Sequence, residues 1–154
     1  MTRGRKVMPA YYELYFQDTI ELMEAVFRQV AGEKKWNFEV FVSGFMNCKY
    51  RKFIDEGNAR VMNMAIDELL SYLHRDCPEI FVEGECKVDV LMAGWIGGMY
   101  NRIQFYSCKT SKEIYQKIPL DRMIQFFQPL HTVDEEVATE KILHILFTTA
   151  ASGH

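Results

Sequence analysis

The chain has 154 residues, 49% of them apolar and 25% charged, the balance of one globular domain able to bury a sizeable core. A net charge of −3 and a pI near 5.8 argue against a protein whose main work is coating nucleic acid. Aromatics reach 14%, with eleven Phe and eight Tyr, more than a small helical core obviously needs, so some are expected on a surface that meets a partner.

Residues 1–9 carry Arg3, Arg5 and Lys6 without a following apolar run. They are expected to form a flexible basic tail, with no signal peptide or membrane span. From 10 to 31, Tyr12, Tyr15, Phe16, Ile20, Met23, Phe27 and Val30 recur at three- and four-residue steps, which predicts an amphipathic helix stopped by Gly32. Asn37 is a cap for a second helix reaching Ile54, with Gly57-Asn58 beyond it and Gly44 marking close packing inside it. Asn63 caps a third, Met64 to His74, which Cys77-Pro78 ends. The stretch 79–84 is expected to be irregular or briefly extended. A fourth helix from about Val88 to Tyr106 places Leu91, Met92, Trp95, Ile96, Met99, Tyr100 and Ile103 on one side.

The last third holds two helix starts of one type. Thr110 precedes Glu113 by three, and Thr132 precedes Glu135 by three, the spacing of the capping box. Pro119 opens a short helix between them, Leu120 to Phe127, and the final helix carries Val137, Ile142, Ile145 and Leu146. Residues 149–154 are expected to fray. The reading is a mainly α, single compact domain of six or seven helices spanning 10–148.

Chemistry-bearing patterns are sparse. The four cysteines, Cys48, Cys77, Cys86 and Cys108, contain no C-x-x-C pair and read as small, reduced core residues, neither a zinc site nor a disulfide framework. Gly94, Gly97 and Gly98 remove side chains from one sector of the fourth helix, for tight helix contact or for a groove floor. Arg51 with Asp55, and Lys52 with Glu56, have the spacing of helix-surface ion pairs. Lys49, Arg51 and Lys52 also have the charge to meet phosphate or an acidic partner. His131 with Asp134 is either a proton-transfer pair or packing beside a helix cap. No nucleophile, metal or phosphate-loop signature accompanies them, and no cofactor is expected.

Two segments carry a resemblance. Phe45-Met46-Asn47-Cys48-Lys49-Tyr50-Arg51-Lys52-Phe53-Ile54-Asp55-x-Gly57-Asn58 is one, and Trp95-Ile96-Gly97-x-x-Tyr100, Ser111-Lys112-x-Ile114-Tyr115 and His131-Thr132-x-Asp134 make up the other. Together they resemble small bacterial proteins of the Firmicutes type, the second segment looking like the antitoxin-like half of two-gene cassettes. The resemblance implies a cytoplasmic helical protein that binds another protein, such as a cognate toxin, and it carries no catalytic residue. The expected function is therefore a non-enzymatic, antitoxin- or immunity-like binding module, with Tyr50, Arg51, Trp95 and Tyr100 as partner anchors and a homo-oligomer left open. The competing expectation is a small enzyme or nucleotide-handling protein with a site near Arg51, Trp95, Tyr100 and His131. Convergence of those four residues on one deep pocket would favour the enzyme, and an extended apolar surface would favour the binding module.

Overall fold

A computed structural model describes residues 10–152, with side chains through residue 148; the basic tail expected at 1–9 lies outside the described residues. Among the described residues the protein is 76% helix, 3-10 turns included, and has no strand. Nine α-helices follow in order: α1 Phe16–Glu33, α2 Phe38–Met46, α3 Lys49–Asp55, α4 Ala59–Met62, α5 Ile66–Asp76, α6 Val90–Ser107, α7 Ser111–Lys117, α8 Leu120–Leu130 and α9 Glu135–Ser152.

The count exceeds six or seven for two local reasons. The segment expected as one helix from 38 to 54 breaks at Asn47-Cys48, where Cys48 turns extended and a new helix starts. Asn58 does more than follow a helix end: its side chain accepts from the N–H groups of Arg60 and Val61 and starts the short α4. Asn63 is the residue after α4, and α5 begins from Ala65 without a side-chain cap.

Several starts and stops are written locally. Asn37 accepts from the Val40 N–H, Asp89 accepts from Met92 N–H at the start of α6, and Cys77-Pro78 closes α5. The first helix starts later than its periodicity suggests. Tyr12 is 77% exposed while Tyr11 packs into the core, and a 3-10 turn at Glu13–Tyr15 precedes α1. Its end is also displaced: Gly32 stays inside α1, and Lys34 takes the left-handed conformation at φ 59°. Residues 79–84 are irregular as expected, following a 3-10 turn that starts at Pro78 (Pro78–Ile80) and holding one bridge between Trp36 and Glu83.

Of the two Thr-x-x-Glu starts, only the first forms. Thr110 Oγ1 accepts from Glu113 N–H while Glu113 accepts from Thr110 N–H, closing both halves of the box. At α9 the cap is Asp134, whose Oδ1 accepts from Glu136 N–H at 2.7 Å, and Thr132 sits exposed two residues earlier. Thr110→Ala is thus expected to cost about 1 kcal/mol, whereas Thr132→Ala should fall well below that. Urea unfolding of both variants checks this, and equal losses would contradict the assignment.

The antiparallel pair α1 and α6 is the centre of the fold, and α7, α8 and α9 also lean on α6. The interior where α2 packs on α1 is strongly aromatic. Phe27 meets Phe38, Phe41 and Phe45 edge-on at centroid distances of 5.9, 5.7 and 5.8 Å. Edge-to-face contacts of this kind add to simple area burial. Much of the aromatic excess therefore lies in the core.

Gly97 explains how α1 and α6 come so close. A Cβ there would stand 2.6 Å from the Met23 carbonyl oxygen and 2.8 Å from Phe27 Cγ. The glycine sector is a helix-contact surface, occupied by α1, and leaves no floor for a ligand. Gly44 plays the same part against the 3-10 turn, its missing Cβ lying 2.3 Å from Ile80 Cγ2.

Candidate functional site

The four anchors expected from the sequence have unequal access to a partner. Arg51 and Tyr100 are interior, each 1% exposed, and Tyr50 is 7% exposed. Tyr100 Oη donates to the Ile118 carbonyl at 2.8 Å, and burial pushes its phenol well above the ordinary tyrosine range. Trp95 is half-buried and meets Phe127 edge-on at 5.5 Å.

Arg51 and Asp55 depart furthest from expectation. They form the i,i+4 pair, at 3.1 Å, but as a buried one, with side chains 1% and 7% exposed. Arg51 Nε also lies 2.7 Å from Ser111 Oγ, Ser111 Oγ lies 2.7 Å from Asp55 Oδ1, and Ser111 N–H donates to Asp55 Oδ2 at 2.7 Å. Asp55 thereby caps the first turn of α7 from α3. The neighbouring pair, Lys52 with Glu56 at 2.7 Å, is the exposed surface pair the spacing predicted.

His131 is engaged away from Asp134. Its Nδ1 donates to the Phe127 carbonyl at 2.7 Å and its ring stacks on Phe127 at 4.1 Å, while Asp134 caps α9. An acceptor-only carbonyl on Nδ1 fixes that nitrogen as the donor. Arg51, Tyr100 and His131 are thus each committed to a different structural partner.

Cys48, Cys77 and Cys86 carry free thiols, of which only Cys77 is fully buried; Cys108 is exposed and ends α6 in the left-handed region. Burial pushes the Cys48 thiol up to about 11 and raises Cys77 and Cys108 as well. None of these three has the lowered pKa of a nucleophilic cysteine. Among the described residues, no group of three or more His, Cys, Asp or Glu is placed to hold a metal ion.

The surface feature that sequence reasoning missed lies where the end of α6 runs between α1 and α9. One lobe, of about 350 Å³, is lined by Phe16, Ile20, Arg102, Tyr106, Glu135, Glu136 and Thr139, among others. A second, of about 320 Å³, continues over Tyr106, Glu136 and Thr139 to Glu140 and Leu143. Tyr106 is the shared wall, 42% exposed, held by an edge contact with Phe16 at 5.5 Å and with Phe105 at 5.0 Å. Phe147, 48% exposed, lies further along α9.

The rim is acidic. Arg102 is the cation of the first lobe and is already paired with Glu135 at 2.7 Å. Asp134, Glu135 and Glu136 complement the α9 dipole. Glu140 stands a turn further on, and among the described residues its carboxylate has no hydrogen bond or ion pair. Glu136 and Glu140 are like charges at i,i+4, an arrangement that costs a few tenths of a kcal/mol in an isolated helix. Burial, followed by the carboxylates of Glu136 and Glu13, raises the Tyr106 phenol above its ordinary value. Sequence held one faint signal: Glu136, Glu140, Leu143 and Phe147 fall on one helical stripe, beside the Ala138, Ile142 and Leu146 stripe that packs inward.

No family model, curated protein or solved structure matches this chain. No helix among the described residues is long and apolar enough to cross a membrane.

Proposed function

We propose that this protein is a non-enzymatic binding module of the antitoxin or immunity kind, acting in the cytoplasm by stoichiometric capture of another protein. The observation that carries the reading is the acidic, aromatic-walled groove over Tyr106, continuous across two lobes between α1 and α9. Its chemistry selects a basic amphipathic segment. Apolar side chains of the partner would cover Tyr106 and Leu143, and its Lys or Arg would meet Glu136 and Glu140. The mildly acidic net charge of −3 favours the same partner. The interaction centre moves from Tyr50, Arg51, Trp95 and Tyr100 to Tyr106 and the outer stripe of α9. Interior side chains contribute to an interface only by holding its shape, whereas exposed aromatics at a pocket wall make hot spots.

Co-expression with the product of the neighbouring gene, followed by size-exclusion chromatography, tests this. A single peak of defined stoichiometry is expected. Glu136→Lys with Glu140→Lys should weaken it at least tenfold and remove most of its salt dependence, and Tyr106→Ala should weaken it comparably. A complex indifferent to all three substitutions would place the interface elsewhere. No complex at all, with turnover of a small metabolite or nucleotide by the isolated chain, would favour an enzyme instead.

A further inference from the structure

A second concavity, sharing no lining residue with the groove, lies where α3, α4 and α5 meet. It encloses about 370 Å³, and its walls include Tyr50, Phe53, Val61, Met64 and Tyr72, with Arg60 and Arg75 among the lining residues. That volume is near the lower end of the roughly 300–1,000 Å³ of small-molecule sites. Its aromatic wall is preorganised. Tyr50 and Tyr72 stack at 5.8 Å, Phe53 meets Tyr50 edge-on at 6.1 Å, and the Arg75 guanidinium covers Tyr72 at 4.6 Å. Tyr50 Oη donates to Asp76, which also takes a two-point contact from Arg75 at 2.7 and 2.9 Å and lies 3.7 Å from Lys49 Nζ. These contacts, that of Arg75 foremost, hold the Asp76 carboxyl well below the usual carboxylate range. Asp76 is thus fully charged and fully engaged by Arg75, Tyr50 and Lys49.

Arg60 is different. It is exposed on α4, and among the described residues its guanidinium makes no ion pair, hydrogen bond or ring contact. The cleft therefore combines an apolar floor, a rigid aromatic wall and one uncommitted planar cation. A guanidinium presents a donor fork that fits a carboxylate or phosphate in two-point geometry.

We propose that this cleft is a binding site for a small amphiphilic anion, an aromatic or aliphatic body seated on Val61, Met64, Phe53 and Tyr72 with its carboxylate or phosphate head on Arg60. The proposal is independent of the protein-binding groove and does not rest on it.

The probes are 4-phenylbutyrate, its uncharged amide and inorganic phosphate, each titrated into the full-length chain by NMR with the Met64 and Val61 methyl groups as reporters. The carboxylate is expected to shift both methyls saturably and to bind at least tenfold tighter than the amide. Inorganic phosphate, lacking the apolar body, should leave the methyls nearly unmoved. Arg60→Gln, at an exposed site, should leave the spectrum folded and reduce the carboxylate's advantage to about twofold or less. Met64→Ala should weaken carboxylate and amide alike. Equal affinity of acid and amide for the parent chain, an undiminished preference in Arg60→Gln, or shifts spread evenly over the surface would each overturn the site. Two amphiphile sources, a free carboxylic acid and a phosphate ester, separate by repeating the titration with phenyl phosphate.

Discussion

Gly97→Ala is expected to lower stability by about 2 kcal/mol, roughly a 4–8 °C fall in melting temperature for a chain of this size. Two effects oppose each other. Alanine gains about 1 kcal/mol over glycine in helix propensity. Against that, the new methyl would stand 2.6 Å from the Met23 carbonyl oxygen and 2.8 Å from Phe27 Cγ. The first neighbour is backbone and the second a buried ring, so neither retreats cheaply, and overpacking of this kind costs about 3 kcal/mol. Because α1 and α6 form the most extensive helix pair, the whole core moves if they separate. Gly32→Ala is the matched control. Its Cβ would meet Val90 Cγ2 at an ordinary 3.7 Å, so the propensity gain survives and stability should rise by a few tenths to about 1 kcal/mol. Thermal unfolding of the two variants should therefore shift in opposite directions. A shift of the same sign in both would refute the close approach at Gly97.

Asp55→Ala should be costlier, at about 3–5 kcal/mol. The carboxylate is the meeting point of Arg51 Nε, Ser111 Oγ and the Ser111 N–H, with its side chain only 7% exposed. Removing it leaves a guanidinium 1% exposed with its charge uncompensated, and also strips α7 of an acceptor at its first turn. Nη2 of Arg51 already has no hydrogen-bond partner, so little remains to hold the cation. The double variant Arg51→Met with Asp55→Ala should recover a good part of the loss, since an apolar side chain needs no partner there. Denaturant unfolding of the single and double variants measures the coupling directly. A single-variant cost below about 1 kcal/mol would mean the pair behaves as an exposed one.

These two sites also mark where sequence reading succeeds and where it stops. Asn37, Thr110, Pro119 and the Cys77-Pro78 stop were all legible, because a cap or a proline acts on backbone groups within four residues of itself. The glycine sector of α6 was legible as a place of close approach, since three side chains are missing within five residues, but that α1 and not a ligand fills it is seen only in the structure. The mainly α fold follows from the apolar three- and four-residue spacing. The second Thr-x-x-Glu start failed for a competing local reason: Asp134 lies nearer the first turn and takes the capping role itself.

Of the candidate surface almost nothing was legible. Arg51-Asp55 and Lys52-Glu56 are indistinguishable by spacing, yet one pair is buried and the other exposed. The difference is made by Ser111, sixty residues away from Arg51, when α7 docks on α3. Tyr100 and Tyr106 likewise sit on one helix, one 1% and the other 42% exposed, according to which neighbours close over them. Sequence by itself determined the helical class and those helix starts and stops that a single cap or proline writes, at Asn37, Thr110, Pro119 and Cys77-Pro78, because those are properties of helical period and of contiguous backbone. Only the tertiary structure decided which charges are interior and which aromatics a partner can reach, because burial is set by elements distant along the chain.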